Sequence, residues 1–176
     1  MNAANLILCG FMGCGKSTVG RVLAARTGLA FIDMDHYIVK QAGLPVEEIF
    51  ARYGERHFRS LEAQACKTLS QKKGQVIATG GGALTFPENT RALKQNGVVI
   101  LLDVSLPILQ ARLERDSTPR PVLQKAKQEG TLETLHANRM ELYRKAADLT
   151  VSICKECSPD AVAEEILDII SASNAK

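Results

Sequence analysis

The chain has 176 residues, of which 45% are hydrophobic and 23% are charged, and its formal net charge is +3 at pH 7. This length suits one domain with a sizeable core and leaves too little chain for a second. The sequence has no apolar run near the roughly 20 residues that span a bilayer and no basic run with interleaved aromatics. Its first residues show neither the basic region nor the separate apolar region that are typical of a secretory leader. We therefore expect a cytoplasmic protein that binds neither membranes nor nucleic acid.

Short apolar runs alternate with helical patterns along the chain. The runs lie at 5–9, 30–33, 75–78, 97–102 and 149–153. Strands that alternate with helices are typical of a parallel sheet covered on both faces. The sequence therefore predicts a three-layer α/β/α fold with a five-stranded parallel sheet, in one domain over residues 1–176. Helices are expected at about 15–27, 56–72 and 159–172.

A glycine-rich turn links the first strand to the first helix. Residues 10–18, GFMGCGKST, fit the pattern GxxxxGK[S/T]. Glycines let the chain curl so that backbone N–H groups point at phosphate oxygens, next to the positive end of the following helix. In this pattern Lys16 reaches the β and γ phosphates, and the Ser17 hydroxyl is placed to bind Mg²⁺. The turn predicts a nucleoside triphosphate site formed by Gly13, Cys14, Gly15, Lys16, Ser17 and Thr18.

Two carboxylates, Asp33 and Asp35, stand at the end of the second strand. The carboxyl ends of parallel strands line the ligand crevice, so both side chains can approach the γ-phosphate. One can support the Mg²⁺ shell while the other accepts a proton from an attacking hydroxyl, as phosphoryl transfer to an alcohol requires. Capping of the next helix is the structural alternative for either residue.

The segment GERHFRSLE, residues 54–62, places Arg59 and Glu62 one helical turn apart. The two can pair, and the pairing would orient the guanidinium. A planar guanidinium held in this way suits a substrate carboxylate, to which it can donate two parallel hydrogen bonds. An exposed surface ion pair is the alternative.

Three consecutive glycines, Gly80, Gly81 and Gly82, follow the third strand. Glycine removes side chains where a ligand must approach the backbone closely, and the run can supply N–H donors. A tight turn between a strand and a helix would need fewer glycines. The run therefore indicates a ligand contact.

The most polar, proline-punctuated stretch is residues 114–131, which we interpret as a mobile lid. A lid arginine that closes over the phosphates can neutralise the charge that develops in the transition state. Each arginine of the C-terminal half, taken singly, is better explained as a solvated charge. The candidates are Arg112, Arg115, Arg120 and Arg139.

The cysteines and histidines form no metal-binding or catalytic pattern. The odd number of cysteines argues against a disulfide framework, and the one C-x-x-C pair has no two further ligands nearby. We expect free thiols, and packing or surface roles for the histidines. The residues are Cys9, Cys14, Cys66, Cys154, Cys157, His36, His57 and His136.

Taken together and in this order, the motifs resemble the shikimate kinase family, ATP-dependent enzymes of aromatic amino-acid biosynthesis. The resemblance runs from about residue 5 to residue 170. It is carried by GFMGCGKST, FIDMD, GERHFRSLE, TGGG, the RP of the predicted lid and NRMELY. It implies a P-loop fold like that of nucleoside-monophosphate kinases, with a substrate-binding insertion at about 34–62 and a lid at about 114–131. The implied reaction uses ATP and Mg²⁺ and phosphorylates the 3-hydroxyl of shikimate, on the route to chorismate.

The resemblance also implies roles on the acceptor side. Asp35 would bind the shikimate hydroxyl and act as the base, with Asp33 supporting Mg²⁺ through water. Arg59 and Arg139 would clamp the shikimate carboxylate. The three glycines would lie against the ring hydroxyls, with Gly81 as the main hydrogen-bonding member.

On the nucleotide side, the resemblance implies that Lys16 and Arg120 bracket the transferring phosphoryl group. Arg112 would lie against adenine, with Pro159 bordering its other side. Arg115 competes with Arg112 for the adenine role.

Three other functions stay open. A kinase of the same fold could act on another hydroxy acid such as gluconate, but the glycine run and two-arginine clamp favour a compact cyclic acid. Intact Lys16, Ser17 and Asp35 argue against a non-catalytic nucleotide-binding module. A GTPase is disfavoured because no guanine-recognition NKxD follows the fourth strand. We expect a monomer, since no long apolar surface stripe demands a partner.

Overall fold

The computed structural model describes residues 4–116 and 121–174. Its centre is a five-stranded parallel sheet with the strand order β2-β3-β1-β4-β5. The strands are β1 (Asn5–Cys9), β2 (Ala30–Asp33), β3 (Gln75–Ala78), β4 (Gly97–Val104) and β5 (Leu149–Ile153). These bounds match the sequence-based expectation, except that β4 continues two residues beyond the predicted 97–102.

Helices connect the strands throughout the described ranges. They are α1 (Lys16–Thr27), α2 (Met34–Ala42), α3 (Val46–Ser70), α4 (Pro87–Lys94), α5 (Leu106–Arg115), α6 (Pro121–Gln128), α7 (Leu132–Ala146) and α8 (Pro159–Asn174), with a 3₁₀ turn at Ala83–Thr85. The prediction of one helix over 56–72 was wrong in its start, because α3 begins ten residues earlier. Gly54 lies inside α3 with φ 77° and ψ 172°, so two helical segments meet at a kink there.

The core is formed by the apolar strands and the helices packed on them. Every residue of β1 and of β3 is buried, which requires cover on both faces of the sheet. Gly20 brings α1 close to β2, since a Cβ at that position would lie 2.6 Å from the Phe31 ring. None of the helices in the described ranges combines the length and hydropathy that a membrane span needs.

The fold gathers the predicted site at one edge of the sheet. β2, β3 and β1 are neighbours and parallel, so their carboxyl ends lie side by side. Thr79, directly after β3, ties this edge together, because its N–H and its hydroxyl both donate to the Leu8 carbonyl at 3.0 Å. The glycine-rich turn, the aspartates and the three glycines follow these three strand ends, so the fold places them next to one another in space.

Candidate active site

The turn after β1 has the backbone geometry of a phosphate-binding loop. Gly10, Gly13 and Gly15 have φ values of 142°, 82° and 98°, a region that glycine reaches without a Cβ clash. Lys16 Nζ folds back over the turn and donates to the carbonyl oxygens of Gly10 and Phe11 at 2.9 and 3.2 Å. The ammonium group is thus held at the mouth of the loop, where phosphate oxygens would meet it.

Asp33 joins α1 to α2. Its Oδ2 accepts a hydrogen bond from the Ser17 hydroxyl at 2.6 Å, and its Oδ1 accepts one from the His36 N–H at 3.2 Å. The second bond makes Asp33 the N-cap of α2, so the capping alternative is confirmed for this residue. Capping does not remove the carboxylate from the P-loop, because its other oxygen remains on the Ser17 side.

The serine and aspartate oxygens fit Mg²⁺. This ion prefers oxygen ligands and commonly uses one or two protein groups together with substrate phosphates and water. A hydroxyl at the start of α1 beside a carboxylate is such a pair. Among the described residues, no cluster of three or more His, Cys, Asp or Glu side chains forms a metal cage.

Two adjoining cavities meet above this edge of the sheet. One, of about 300 Å³, is lined by the P-loop and includes Lys16 and Ser17. The other, of about 330 Å³, lies between α3, α6 and α7. Residues that line both cavities are Met12, Asp33, Asp35 and Gly81. Asp35 therefore stands where a group bound in one cavity would face a group bound in the other.

The second cavity carries a buried ion pair. Arg59 Nη1 lies 2.5 Å from Glu62 Oε2, and Arg59 Nη2 lies 2.8 Å from Glu55 Oε1. Glu62 is only 1% exposed. Burial raises the pKa of Glu62, and the neighbouring Arg59 offsets only part of that effect. Burial disfavours the charged form of Arg59, but the two carboxylates outweigh it and raise the Arg59 pKa. The alternative of an exposed ion pair between Arg59 and Glu62 was wrong, because the Glu62 side chain is buried; the further contact of Arg59 with Glu55 lies at the surface.

Two carboxylates lie close to the backbone at Gly80, the first of the three glycines. A Cβ at Gly80 would lie 2.6 Å from Asp35 Oδ1 and 2.7 Å from Glu62 Oε1. Both distances are shorter than real Cβ contacts, so no other residue fits here without displacing an acid. Glu62 Oε1 is itself buried without a hydrogen-bond partner in the described part of the chain.

Helix α7 contacts the same glycine run from the other side. Arg139 Nη1 donates to the Gly81 carbonyl at 3.0 Å, and the Tyr143 hydroxyl donates to the same oxygen. The two side chains are four residues apart and so share one helix face. Sequence reasoning placed Arg139 at the site but missed Tyr143. The available signal was that spacing within the NRMELY motif.

A third cavity of about 320 Å³ lies on the far side of the P-loop. Arg112 lines this cavity. Its Nη2 lies 2.6 Å from Glu156 Oε2, and its Nη1 donates to the Cys14 carbonyl at 3.4 Å. Pro159 borders the same cavity. Arg115 does not line it, so of the two arginines considered it is Arg112 that reaches this space.

Comparison with known proteins decides the family. The sequence model described as shikimate kinase matches residues 12–171. The chain belongs to the shikimate kinase family. The shikimate kinase of Synechococcus sp. (strain CC9902) is 46% identical over 170 residues, covering 97% of this chain and 87% of that protein. That of Xanthomonas euvesicatoria pv. vesicatoria (strain 85-10) is 42% identical over 165 residues, covering 94% and 91%.

A solved structure agrees with this family. Shikimate kinase from Acinetobacter baumannii, in complex with shikimate, superposes with a TM-score of 0.91 and 37% identity, covering 99% of this chain and 96% of that one. The fold, the family and the activity that the motifs predicted are therefore confirmed. The chain is an ATP-dependent phosphotransferase of the shikimate pathway.

The structure brings most of the predicted shikimate kinase residues to one edge. The two adjoining cavities are bordered by both aspartates, by Arg59 and Arg139, by Gly81 and Gly82, and by the predicted P-loop residues other than Cys14. Cys14, Arg112 and Pro159 border the third cavity, and Gly80 borders none of the three. Arg120 and part of the proposed lid at 114–131 fall on residues 117–120, outside the described ranges. The rest of that segment contains Asp116, which lines the P-loop cavity, and α6, which lines the second cavity through Pro121 and Val122.

Proposed function

We propose that this enzyme transfers the γ-phosphoryl group of ATP to the 3-hydroxyl of shikimate, giving ADP and shikimate 3-phosphate. The observation that carries the proposal is the meeting of the two cavities at Asp35, with a phosphate-binding loop on one side and two arginines on the other. ATP would occupy the P-loop cavity, and shikimate would occupy the cavity between α3, α6 and α7.

The acceptor side suits a compact hydroxy acid. Arg59 and Arg139 both line the second cavity and can donate to one carboxylate. Glu62 and Glu55 fix the Arg59 guanidinium, so less side-chain freedom is lost when the substrate binds. A carboxylate held at that end would direct a ring hydroxyl toward Asp35.

Asp35 is the proposed base. Its carboxylate would accept the proton of the 3-hydroxyl while the hydroxyl oxygen forms a bond to the γ-phosphorus. The bond between that phosphorus and the bridging oxygen breaks, and its electron pair leaves with ADP. General base catalysis of this kind contributes about 10²- to 10⁴-fold.

The donor side would hold the phosphates by charge and backbone dipoles. Lys16 would exchange its loop carbonyls for phosphate oxygens, and the N–H groups of residues 13–18 would point at the same anion. Ser17 and Asp33 would hold Mg²⁺, which neutralises phosphate charge when it is bound. By family resemblance, Arg120 would close over the γ-phosphate.

The adenine ring would lie in the third cavity, between Arg112 and Pro159. The Arg112 guanidinium is planar and can stack on an aromatic face. We also propose a cytoplasmic monomer, organised as one domain with a substrate-binding insertion and a lid.

A coupled ADP-release assay with ATP and Mg²⁺ tests the proposal, with shikimate, gluconate or no acceptor. We expect release that requires shikimate, and kcat about 10²- to 10⁴-fold lower in Asp35→Asn. Asp103→Asn is the matched control, because Asp103 also lies near a strand end but pairs with Arg144 outside the three cavities. Its kcat should stay within about twofold, as for most exposed ion pairs.

Each other outcome contradicts a definite part of the proposal. Release with gluconate alone would give the enzyme a different acceptor. Release without any acceptor would make water the acceptor. Full activity of Asp35→Asn would remove Asp35 from proton transfer while leaving the substrate assignment intact.

A further inference from the structure

The carbonyl groups of the glycine loop, residues 80–82, all face donors from the protein. The Gly80 carbonyl accepts from the Ala83 N–H at 3.2 Å. The Gly82 carbonyl accepts from the Thr85 N–H at 3.2 Å and from the Thr85 hydroxyl at 2.7 Å. Among the described residues, no backbone carbonyl outside the helices and strands accepts from the three glycine N–H groups. The carbonyls of the loop are thus satisfied within the protein, whereas its N–H groups make no such bond to the backbone.

The middle carbonyl differs from its neighbours because its donors come from a distant element. Gly81 O accepts from Arg139 and from Tyr143, both on α7 and about 60 residues away in the chain. Gly81 lines both the P-loop cavity and the second cavity. The two α7 side chains therefore set the position of the loop at the point where donor and acceptor would meet.

A peptide plane transmits this restraint. The Gly81 C=O and the Gly82 N–H belong to one trans peptide unit, so they point in opposite directions and move together. Glycine itself supplies little conformational preference, and the loop would sample other orientations without an external tie. A donor that fixes the carbonyl therefore aims the N–H.

Of the two donors, the tyrosine is the one that substrate does not compete for. Arg139 lines the second cavity, and a substrate carboxylate would draw its guanidinium toward the ligand. Tyr143 is 1% exposed and lines none of the three cavities. Burial raises the pKa of its hydroxyl, which keeps the proton needed for donation at every working pH.

We propose that Tyr143 is a positioning residue for the acceptor substrate: its hydroxyl holds the Gly81 carbonyl so that the glycine loop presents its N–H groups to the acid once Arg139 has engaged the substrate. The inference rests on the proposed function, because it takes Arg139 as a carboxylate ligand. It assigns a task to the last residue of the NRMELY motif, which the phosphoryl transfer itself leaves without one.

Tyr143→Phe tests the proposal, because it removes the hydroxyl and keeps the ring. We expect KM for shikimate to rise about tenfold, KM for ATP to stay within about twofold, and kcat to fall less than about threefold, as for a lost ground-state contact. Thr85→Val is the matched control. It removes a hydroxyl from the next carbonyl of the same loop, but the Thr85 N–H still serves that carbonyl, so all constants should stay within about twofold.

A lower melting temperature with unchanged KM for shikimate would overturn the inference, since the hydroxyl would then serve packing alone. Equal increases in both KM values would also overturn it. If Tyr143→Phe does not fold, Tyr143→Met fills the space without a donor, and failure of both variants to fold assigns the residue to the core. A wild-type enzyme that ignores shikimate and phosphorylates another acid overturns the proposed function instead, and the Tyr143 effect is then read from KM for that acid.

Discussion

Among single residues, Glu62 has the least ordinary environment. It is almost fully buried, it pairs with Arg59, and its free oxygen faces the side of Gly80 that Asp35 also approaches. Burial is the largest influence on the pKa of Glu62 and raises it. The neighbouring Arg59 lowers this pKa, and the negative charge of Asp35 raises it. A carboxylate in this position loses its own solvation and holds in place the arginine that we propose to bind the substrate.

The raised pKa of Glu62 predicts a pH-dependent contribution to stability. The folded protein binds this proton more readily than the unfolded chain, so the contribution is fully present below the ordinary value of 4.5 and is lost as pH rises through the raised pKa. Urea denaturation of wild type and Glu62→Gln across this range should show wild type losing free energy of unfolding relative to the variant as pH rises. Glu129→Gln, at an exposed position, is the control. A difference that does not change with pH would contradict the prediction.

At the scale of elements, the connection between β5 and α8 is tied to the P-loop through α5. Arg112 on α5 bonds Glu156 of that connection through two contacts, at 3.3 and 2.6 Å, while its third contact reaches the Cys14 carbonyl. The ion pair with Glu156 thereby fixes the plane of the Arg112 guanidinium, which borders the proposed adenine cavity.

Glu156→Gln is therefore expected to raise KM for ATP about two- to threefold and to leave KM for shikimate unchanged. The effect is small because exposed ion pairs are screened by water and salt. Steady-state kinetics at low and high salt measure it, and the difference from wild type should shrink as salt rises. Glu165→Gln, on the exposed face of α8, is the control. An equal change in both KM values would show that Glu156 acts beyond the nucleotide cavity.

The elements that the sequence predicted well are those with local signals. The strands are short apolar runs, and Gly28 ends α1 in a left-handed cap as its position indicates. The start of α3 was missed because Gly54 is a typical helix stop, whereas here it only kinks the helix. In the site, one-turn pairs such as Arg59 and Glu62 could be predicted. The spacing of Tyr143 from Arg139 could predict that the two share a helix face. The contact of Tyr143 with Gly81 could not be predicted, because it depends on how α7 packs against a loop far away in the chain.

For the whole molecule, the distribution of exposed apolar side chains predicts a monomer. In the described ranges the large hydrophobic residues with substantial exposure are Tyr53 on α3 and Leu142 on α7. Single exposed residues of this kind are normal on monomer surfaces and do not by themselves indicate an interface. Size-exclusion chromatography with light scattering should give the mass of one chain over a hundredfold range of concentration, with and without ATP and shikimate. A mass that doubles with concentration would contradict this.

The hydrogen bonds of Lys16 and Ser17 bear on how affinity should be interpreted. The Lys16 ammonium group already donates to two carbonyl oxygens, and the Ser17 hydroxyl already donates to a carboxylate, so both groups are hydrogen-bonded before the nucleotide binds. Nucleotide binding is therefore an exchange, in which new contacts replace internal ones of similar kind. Weakening the bonds from Lys16 to its loop carbonyls would favour the bound state, just as adding a contact to the nucleotide would. Tighter binding by a variant would then report a weakened resting loop and not an improved fit.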